Sequence, residues 1–520
     1  MKNLRKILIL AGLIAISNIM LADKWKGEPR PPHNTENQRA VAGCEPAKVS
    51  TEIAINNVRT LIHTGGDMWW DIFGTRKAAY EVPVGSGCHA LFAGAIWVGG
   101  KDANGQLKLA AQRFRQDGID YWPGPLTTDG LAYVSPEICT KYDRHFVITK
   151  EMVREFREWW KCTQNPECDE TADFPNYQIP DIILNWPAHG PEGGYAHNLA
   201  PWWDVDGDGV YNPLNGDFPY YEFPSEGITN DPDCRRPRGQ ASRLFGDHTL
   251  WWVYNDKGNI HTETGGPAIG MEFRAQYFAF TTNDELNDMT FANYNIINRS
   301  TYILTDTYFG VWTDADLGYA RDDYTGCDVQ RGLGYMYNGD DMDESADGQT
   351  GYGTQPPAIG IDFFEGPYQD PDGKDNSTSY DTINGVKILN CNKGDIMNGN
   401  INGLNFQDGE VDNERWGMRR FLYFNNNTGG NPYTQDPHTV QEHYNYLTGY
   451  WLDNSPLCYG GTGHKSGGGD PNKPTNFMFP GNPTTDPCGW GLGGVPQNAP
   501  WSEETESNPP DDRRFVQSAG

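Results

Sequence analysis

The stretch Met271-Glu272-Phe273-Arg274-Ala275-Gln276-Tyr277-Phe278-Ala279-Phe280 decides the fold class. Apolar and polar residues alternate from Met271 to Gln276, the period of a strand whose side chains point to opposite faces in turn. From Tyr277 the run turns apolar on both faces, as in a strand covered on both sides. Two more strand-like segments, 289–299 and 302–312, follow at short spacing with turn residues between them. Three neighbouring strands of about ten residues predict an antiparallel meander within a β-sandwich.

Outward from that core, 90–98 and 106–116 read as strands around the turn-rich Gly99-Gly-Lys-Asp-Ala-Asn-Gly105. The periodicity predicts a helix over 149–161, with Ile148, Met152, Val153, Phe156, Trp159 and Trp160 on one face. Shorter helices are predicted over 51–63 and 440–451. Residues 23–50 read as an irregular leader, 51–247 as a mixed, loop-rich α/β region, and 248–427 as the antiparallel sandwich region. From 428 to 520 Gly, Pro and Asn dominate, and the end at Phe515-Val-Gln-Ser-Ala-Gly520 reads as lacking a closing element, as in a truncated chain. The fold class is therefore mainly β, an antiparallel sandwich with long Gly/Pro/Asp-rich loops and a few short helices. The 61 Gly, 36 Pro and 66 aromatic residues favour aromatic-pinned strands over helical bundles.

The first 22 residues have the layout of a secretory signal peptide. Lys2, Arg5 and Lys6 precede an apolar core over 7–19, and Ala22 offers a cleavage point, with Ser17 as its competitor. Removing this segment takes away three positive charges and no acid, so the net charge moves from −30 to −33. Such a surface repels nucleic acid and anionic lipid and attracts cations. No later segment is apolar enough to span a bilayer. Ten cysteines in an exported chain permit disulfides. Cys162 with Cys168, and Cys458 with Cys488, are the pairings that the spacing suggests. There is no CxxC pair, which argues against a structural zinc site.

One motif carries a recognisable chemistry. In Asp204-Val-Asp206-Gly-Asp208-Gly, continuing to Asn212, Asn215 and Asp217, acids alternate along a glycine-bearing turn, the way a short loop wraps oxygen ligands around Ca²⁺. Asp204, Asp206 and Asp208 take positions one, three and five, Val210 offers its carbonyl at seven, and Asn212 lies at nine. Position twelve is Asn215 rather than Glu, and Asp217 is the expected replacement. Pro213 and Pro219 oppose flanking EF-hand helices, so a dockerin-like or thrombospondin-repeat-like loop suits better. The bland alternative is an Asp/Gly turn that caps its own backbone.

A second acidic series, Asp314, Asp316, Asp322, Asp323 and Asp328, continues through Asp340, Asp341, Asp343 and Glu344 to Asp370, Asp372 and Asp375. Placed at strand ends, it predicts one or two further calcium sites, with half or more of these acids simply solvated. HExxH, GxSxG and Walker motifs are absent from the sequence. His189 with His197, and His261 with Glu263, have spacings open to a transition metal, although hydrogen-bonding roles are commoner. The Trp doublets 69–70, 159–160, 202–203 and 251–252 serve either as core anchors or as sugar-stacking surfaces.

Several segments together carry a family likeness. They are Gly66-Asp-Met-Trp-Trp-Asp71, Phe92-Ala-Gly-Ala-Ile-Trp-Val-Gly-Gly100, Ile182-Ile-Leu-Asn-Trp-Pro-Ala-His-Gly190 and the Asp204 loop. Leu250-Trp-Trp-Val-Tyr-Asn-Asp256, His261-Thr-Glu-Thr-Gly-Gly266, Tyr294-Asn-Ile-Ile-Asn-Arg-Ser300, Asp306-Thr-Tyr-Phe-Gly-Val-Trp312 and Asp328-Val-Gln-Arg-Gly-Leu-Gly-Tyr335 extend it. Over about residues 55–460 the chain resembles large, mostly uncharacterised secreted proteins of Bacteroidota-type bacteria, cargo of the type IX export machinery. The resemblance implies an extracellular or outer-surface location. It also implies a C-terminal sorting domain, which this sequence does not display. Asp381-Thr382-Ile383 fits the short O-glycosylation pattern of such bacteria. The expectation is a secreted, calcium-stabilised, non-catalytic protein that binds glycans or surface proteins. The alternative is an extracellular hydrolase acting on polysaccharide or protein through paired carboxylates.

Overall fold

The computed structural model describes residues 43–115, 118–223, 243–364, 366–367, 380–389, 391, 416–426 and 430–520. The signal segment, most of the 23–50 leader, Cys234, and Asp370, Asp372 and Asp375 lie outside the described residues.

Two antiparallel sheets face each other across an aromatic core. The larger has ten strands. Its main path runs Arg420–Asn425, Arg513–Ala519, Thr305–Asp314, Ala93–Lys101, Asp67–Met68, Arg59–His63, Tyr80–Glu81, His89–Leu91, and Ser50–Ile53 and Leu107–Ala110 pair onto it. The smaller sheet orders Phe291–Asn298, Met271–Ala279, His248–Asn255 and Trp122–Pro123, with Phe146–Thr149 also on His248–Asn255. Hydrogen bonds join the layers: Trp69 Nε1 donates to Tyr277 Oη at 3.0 Å, and Tyr121 Oη donates to Ile96 O and Ala110 O. The larger sheet thus draws strands from all three stretches distinguished in the sequence. No helix among the described residues is long and apolar enough to cross a membrane.

All nine residues of Met271–Ala279 are buried, the nominally polar ones included. The reason is a second core on the outer side of the smaller sheet. There Trp251 and Val253 meet Val153 and Phe156 of the Lys150–Gln164 helix, together with Trp186. On the inner side Leu250, Trp252 and Tyr254 enter the main core. Glu272 and Arg274 are tolerated because they are paired. Glu272 accepts from Arg274, Arg299 and Leu126 N at 2.8–2.9 Å, and burial's upward push on its carboxyl is outweighed by the two guanidinium groups.

The expected meander is corrected at its third strand. Met271–Ala279 and Phe291–Asn298 pair as anticipated, with Met271 opposite Asn298. Thr305–Asp314 instead crosses to the larger sheet, between Ala93–Lys101 and Arg513–Ala519. Asn298 turns the chain, its Oδ1 accepting from Ser300 N and its Nδ2 donating to Tyr302 O. Gly310 then allows the Val440–Thr448 helix to approach, since an added Cβ would lie 2.6 Å from Leu447 Cδ2.

Three other expectations change. Residues 51–63 form an antiparallel strand pair, Ser50 opposite His63, not a helix. Asn56 makes the turn, accepting from Val58 N and donating to Phe280 O and Met289 O. The chain end is a strand with all seven residues buried, where no closing element was expected. Cys488 joins Cys391, not Cys458, alongside Cys44–Cys139 and the anticipated Cys162–Cys168. Cys458 carries a buried thiol. The excursion after it is closed by backbone hydrogen bonds, Cys458 N to Gly463 O and Tyr459 N to Lys473 O. The helices over 150–164 and 440–448 match expectation, each opened by a threonine N-cap, Thr149 and Thr439.

Candidate functional site

The Asp204 loop is suspended between the two-residue strands Trp202–Trp203 and Phe218–Pro219, which pair with each other. Asp204, Asp206 and Asp208 each present a carboxylate oxygen within 4.8 Å of the other two. Their arrangement follows from backbone capping. Asp204 Oδ1 accepts from Gly207 N at 2.7 Å and Oδ2 from Gly209 N at 2.8 Å. Asp206 accepts from Asp208 N, and Asp208 from Val210 N. Gly207 and Gly209 both have positive φ, 75° and 77°, where a side chain would strain the turn.

The remaining predicted ligands frame this triad. Asn215 Nδ2 donates to Asp206 Oδ2 at 2.9 Å, so it braces the loop at the position where an EF-hand has its bidentate acid. Asn212 caps the turn that follows, accepting from Leu214 N. The Val210 side chain is exposed. Asp217 is fully buried below the loop and outside the triad. Its Oδ1 accepts from Val205 N and its Oδ2 from Asn212 N, both at 2.8 Å, closing the loop at its base. Burial raises its carboxyl above the usual range, and the charges of Asp204 and Asp206 add to that.

His189 and His197 prove to be part of the same scaffold. Their rings stack at 4.2 Å. His189 Nδ1 meets His197 O, its Nε2 accepts from Tyr211 N at 2.9 Å, and His197 Nε2 meets Gly209 O. With both nitrogens of His189 committed, the pair holds backbone, not a metal. His261 likewise has both nitrogens on carbonyl oxygens, Leu109 O and Asp256 O, while Glu263 pairs with Arg113 at 2.6 Å. The Trp doublets divide. Trp69, Trp70, Trp251 and Trp252 are core residues. Trp159, Trp160, Trp202 and Trp203 are half-buried, and Trp202 packs edge-on against His189 and Tyr211 beside the loop.

Three carboxylates so close together, Asp204 half-buried and Asp206 and Asp208 exposed, repel one another, and a hard cation relieves that repulsion with the oxygen donors that Ca²⁺ prefers. The donor set fits such an ion.

In the second acidic series, Asp314 and Asp316 are buried and converge with Asp512, a residue that the sequence reading did not single out. Asp343 is tied down by Tyr319 N and Tyr352 N. Nearby Asp322 has its carboxyl pushed up to about 7, by burial first and then by Asp343 and Glu344. Asp340 caps Met342 N, and Asp328 pairs with Arg331. Asp328 and Asp340 thus serve the turns in which they stand.

Compared with known proteins, the chain matches no family model, no curated protein and no solved structure.

Proposed function

We propose that this chain is a secreted, calcium-stabilised protein of the extracellular space or outer cell surface. Its role is adhesion or glycan binding, after export by a type IX route. The observation that carries the binding role is the company kept by the Asp204, Asp206 and Asp208 carboxylates. Half-buried Trp202, Trp203 and Tyr211 stand beside them. A cation held there takes up sugar hydroxyls as further oxygen ligands, and an aromatic face stacks on the apolar face of a sugar ring. Three disulfides support an oxidising compartment. A glycan and polysaccharide array with calcium, repeated in EDTA, tests this reading. Calcium-dependent binding without product supports it, and absence of binding in both arms counts against it.

The second reading, an extracellular hydrolase, draws on Asp322. A carboxyl held near 7 is suited to general acid work at neutral pH. Degradation products in the same array, lost in Asp322→Asn, would favour that reading.

A further inference from the structure

We propose that Asp314, Asp316 and Asp512 form a second site for a hard divalent cation, Ca²⁺, buried in the sandwich and separate from the Asp204 loop. Asp314 ends one central strand, Asp316 lies two residues beyond it, and Asp512 immediately precedes the Arg513–Ala519 strand. They are 2%, 4% and 6% exposed, and each offers a carboxylate oxygen within 4.8 Å of the other two. An ion there would clamp the last strand to its neighbour.

Proximity of three acids alone does not make a metal site. Asp314 Oδ1 and Asp512 Oδ1 are buried and accept no hydrogen bond among the described residues. So is Oδ1 of fully buried Asp323, which is close enough to Asp316 to be affected by its charge. Buried acceptors of this kind are costly when they carry charge without a partner. Neighbouring side-chain amides orient two of these carboxylates. Asn426 Nδ2 donates to Asp512 Oδ2 at 2.8 Å, and Gln349 Nε2 donates to Asp316 Oδ2 at 2.9 Å. Such amides are the outer support that metal-ligating carboxylates commonly have.

The cationic side chain beside Asp314 is already shared. Arg514 lies 3.1 Å from Asp314 Oδ2 and also binds both oxygens of Asp436 at 2.6 Å. One guanidinium thus serves two carboxylates, and Asp314 Oδ1 is left for a further cation. An all-oxygen donor set selects Ca²⁺-like ions over zinc or copper.

The test uses the full secreted chain with the exposed loop disabled by Asp204→Asn and Asp206→Asn. The protein is stripped with EDTA, returned to CaCl₂, freed of excess ion by gel filtration and analysed by metal mass spectrometry. Retention of about one calcium per chain, abolished by adding Asp512→Asn, is the expected result. No calcium in the loop-disabled protein, or equal calcium with and without Asp512→Asn, overturns the proposal. Where Asp512→Asn yields no folded protein, Asp316→Asn replaces it with the same two outcomes. Because the loop is disabled throughout, failure here leaves the Asp204 site untouched.

Discussion

Asp314 and Arg514 face each other across two paired strands, 3.1 Å apart and almost without solvent contact. Arg514 also holds Asp436 and lies over the Phe114 ring at 4.7 Å. Arg113 extends the network to Asp436 at 3.1 Å and Glu263 at 2.6 Å. Burial pushes the Asp436 carboxyl up, yet the two guanidinium groups outweigh it and hold it down at about 2. A buried charge network of this kind is intolerant of losing one member, because the partners left behind remain ionised and dry. Arg514→Met should cost about 3–5 kcal/mol in chemical denaturation. A loss below about 1 kcal/mol would show that the network is dispensable.

Asp217 closes the calcium-type loop through two backbone N–H groups. Asp217→Asn replaces one acceptor oxygen with a donor, which must then face a backbone N–H. We expect about 1–3 kcal/mol of destabilisation. Faster proteolysis between residues 200 and 220 should accompany it. EDTA should reproduce that proteolysis in the wild type and lower its melting temperature. Identical melting and digestion with and without verified metal removal would sink the calcium role of the loop.

The disulfides differ in the length of chain they close. Cys44–Cys139 spans 95 residues and Cys162–Cys168 only 6. On chain-entropy grounds the first is worth about 5 kcal/mol and the second about 2. The double serine variant at 44 and 139 should therefore melt well below the one at 162 and 168. The opposite order would mean that native packing around the short loop dominates.

What the sequence revealed and what it hid have physical causes. The 271–280 alternation, the capped 150–164 helix and the Cys162–Cys168 loop were legible because each depends on neighbours in sequence. The crossing of Thr305–Asp314 between sheets was not, since it is decided by Ala93–Lys101 and Arg513–Ala519 far along the chain. Arg513-Arg514 hid the last strand, so the end read as lacking a closing element. Their partners Glu503, Asp436 and Asp314 are remote in sequence or unremarkable locally. For the same reason Asp314 and Asp316 could be suspected of holding a cation, while Asp512 could not. At the Asp204 loop the spacing located the triad, but not the two histidines that support it. Their bonds run to backbone atoms, which carry no sequence signal.

Acid should unfold this protein through its buried imidazoles. His145 and His443 are enclosed, His145 against Trp252 and His443 against Trp97, and burial pushes both down to about 3. An unfolded histidine takes its proton near pH 6.5, so below that the unfolded chain binds more protons than the folded one. Their contribution is fully present above about pH 6.5 and drains away toward pH 3, about 1.4 kcal/mol per pH unit for each. Asp322 and Asp362, pushed up to about 7 and about 6 chiefly by burial, act in the opposite sense. They favour the folded state as pH falls through those values and offset most of the imidazole loss down to about pH 5, so without calcium the steep loss of stability should lie below that pH. Histidine NMR on the folded protein checks the first half: neither imidazole should titrate above pH 4. A midpoint near 6.5 for either ring would mean that it is open to water and plays no part in acid unfolding.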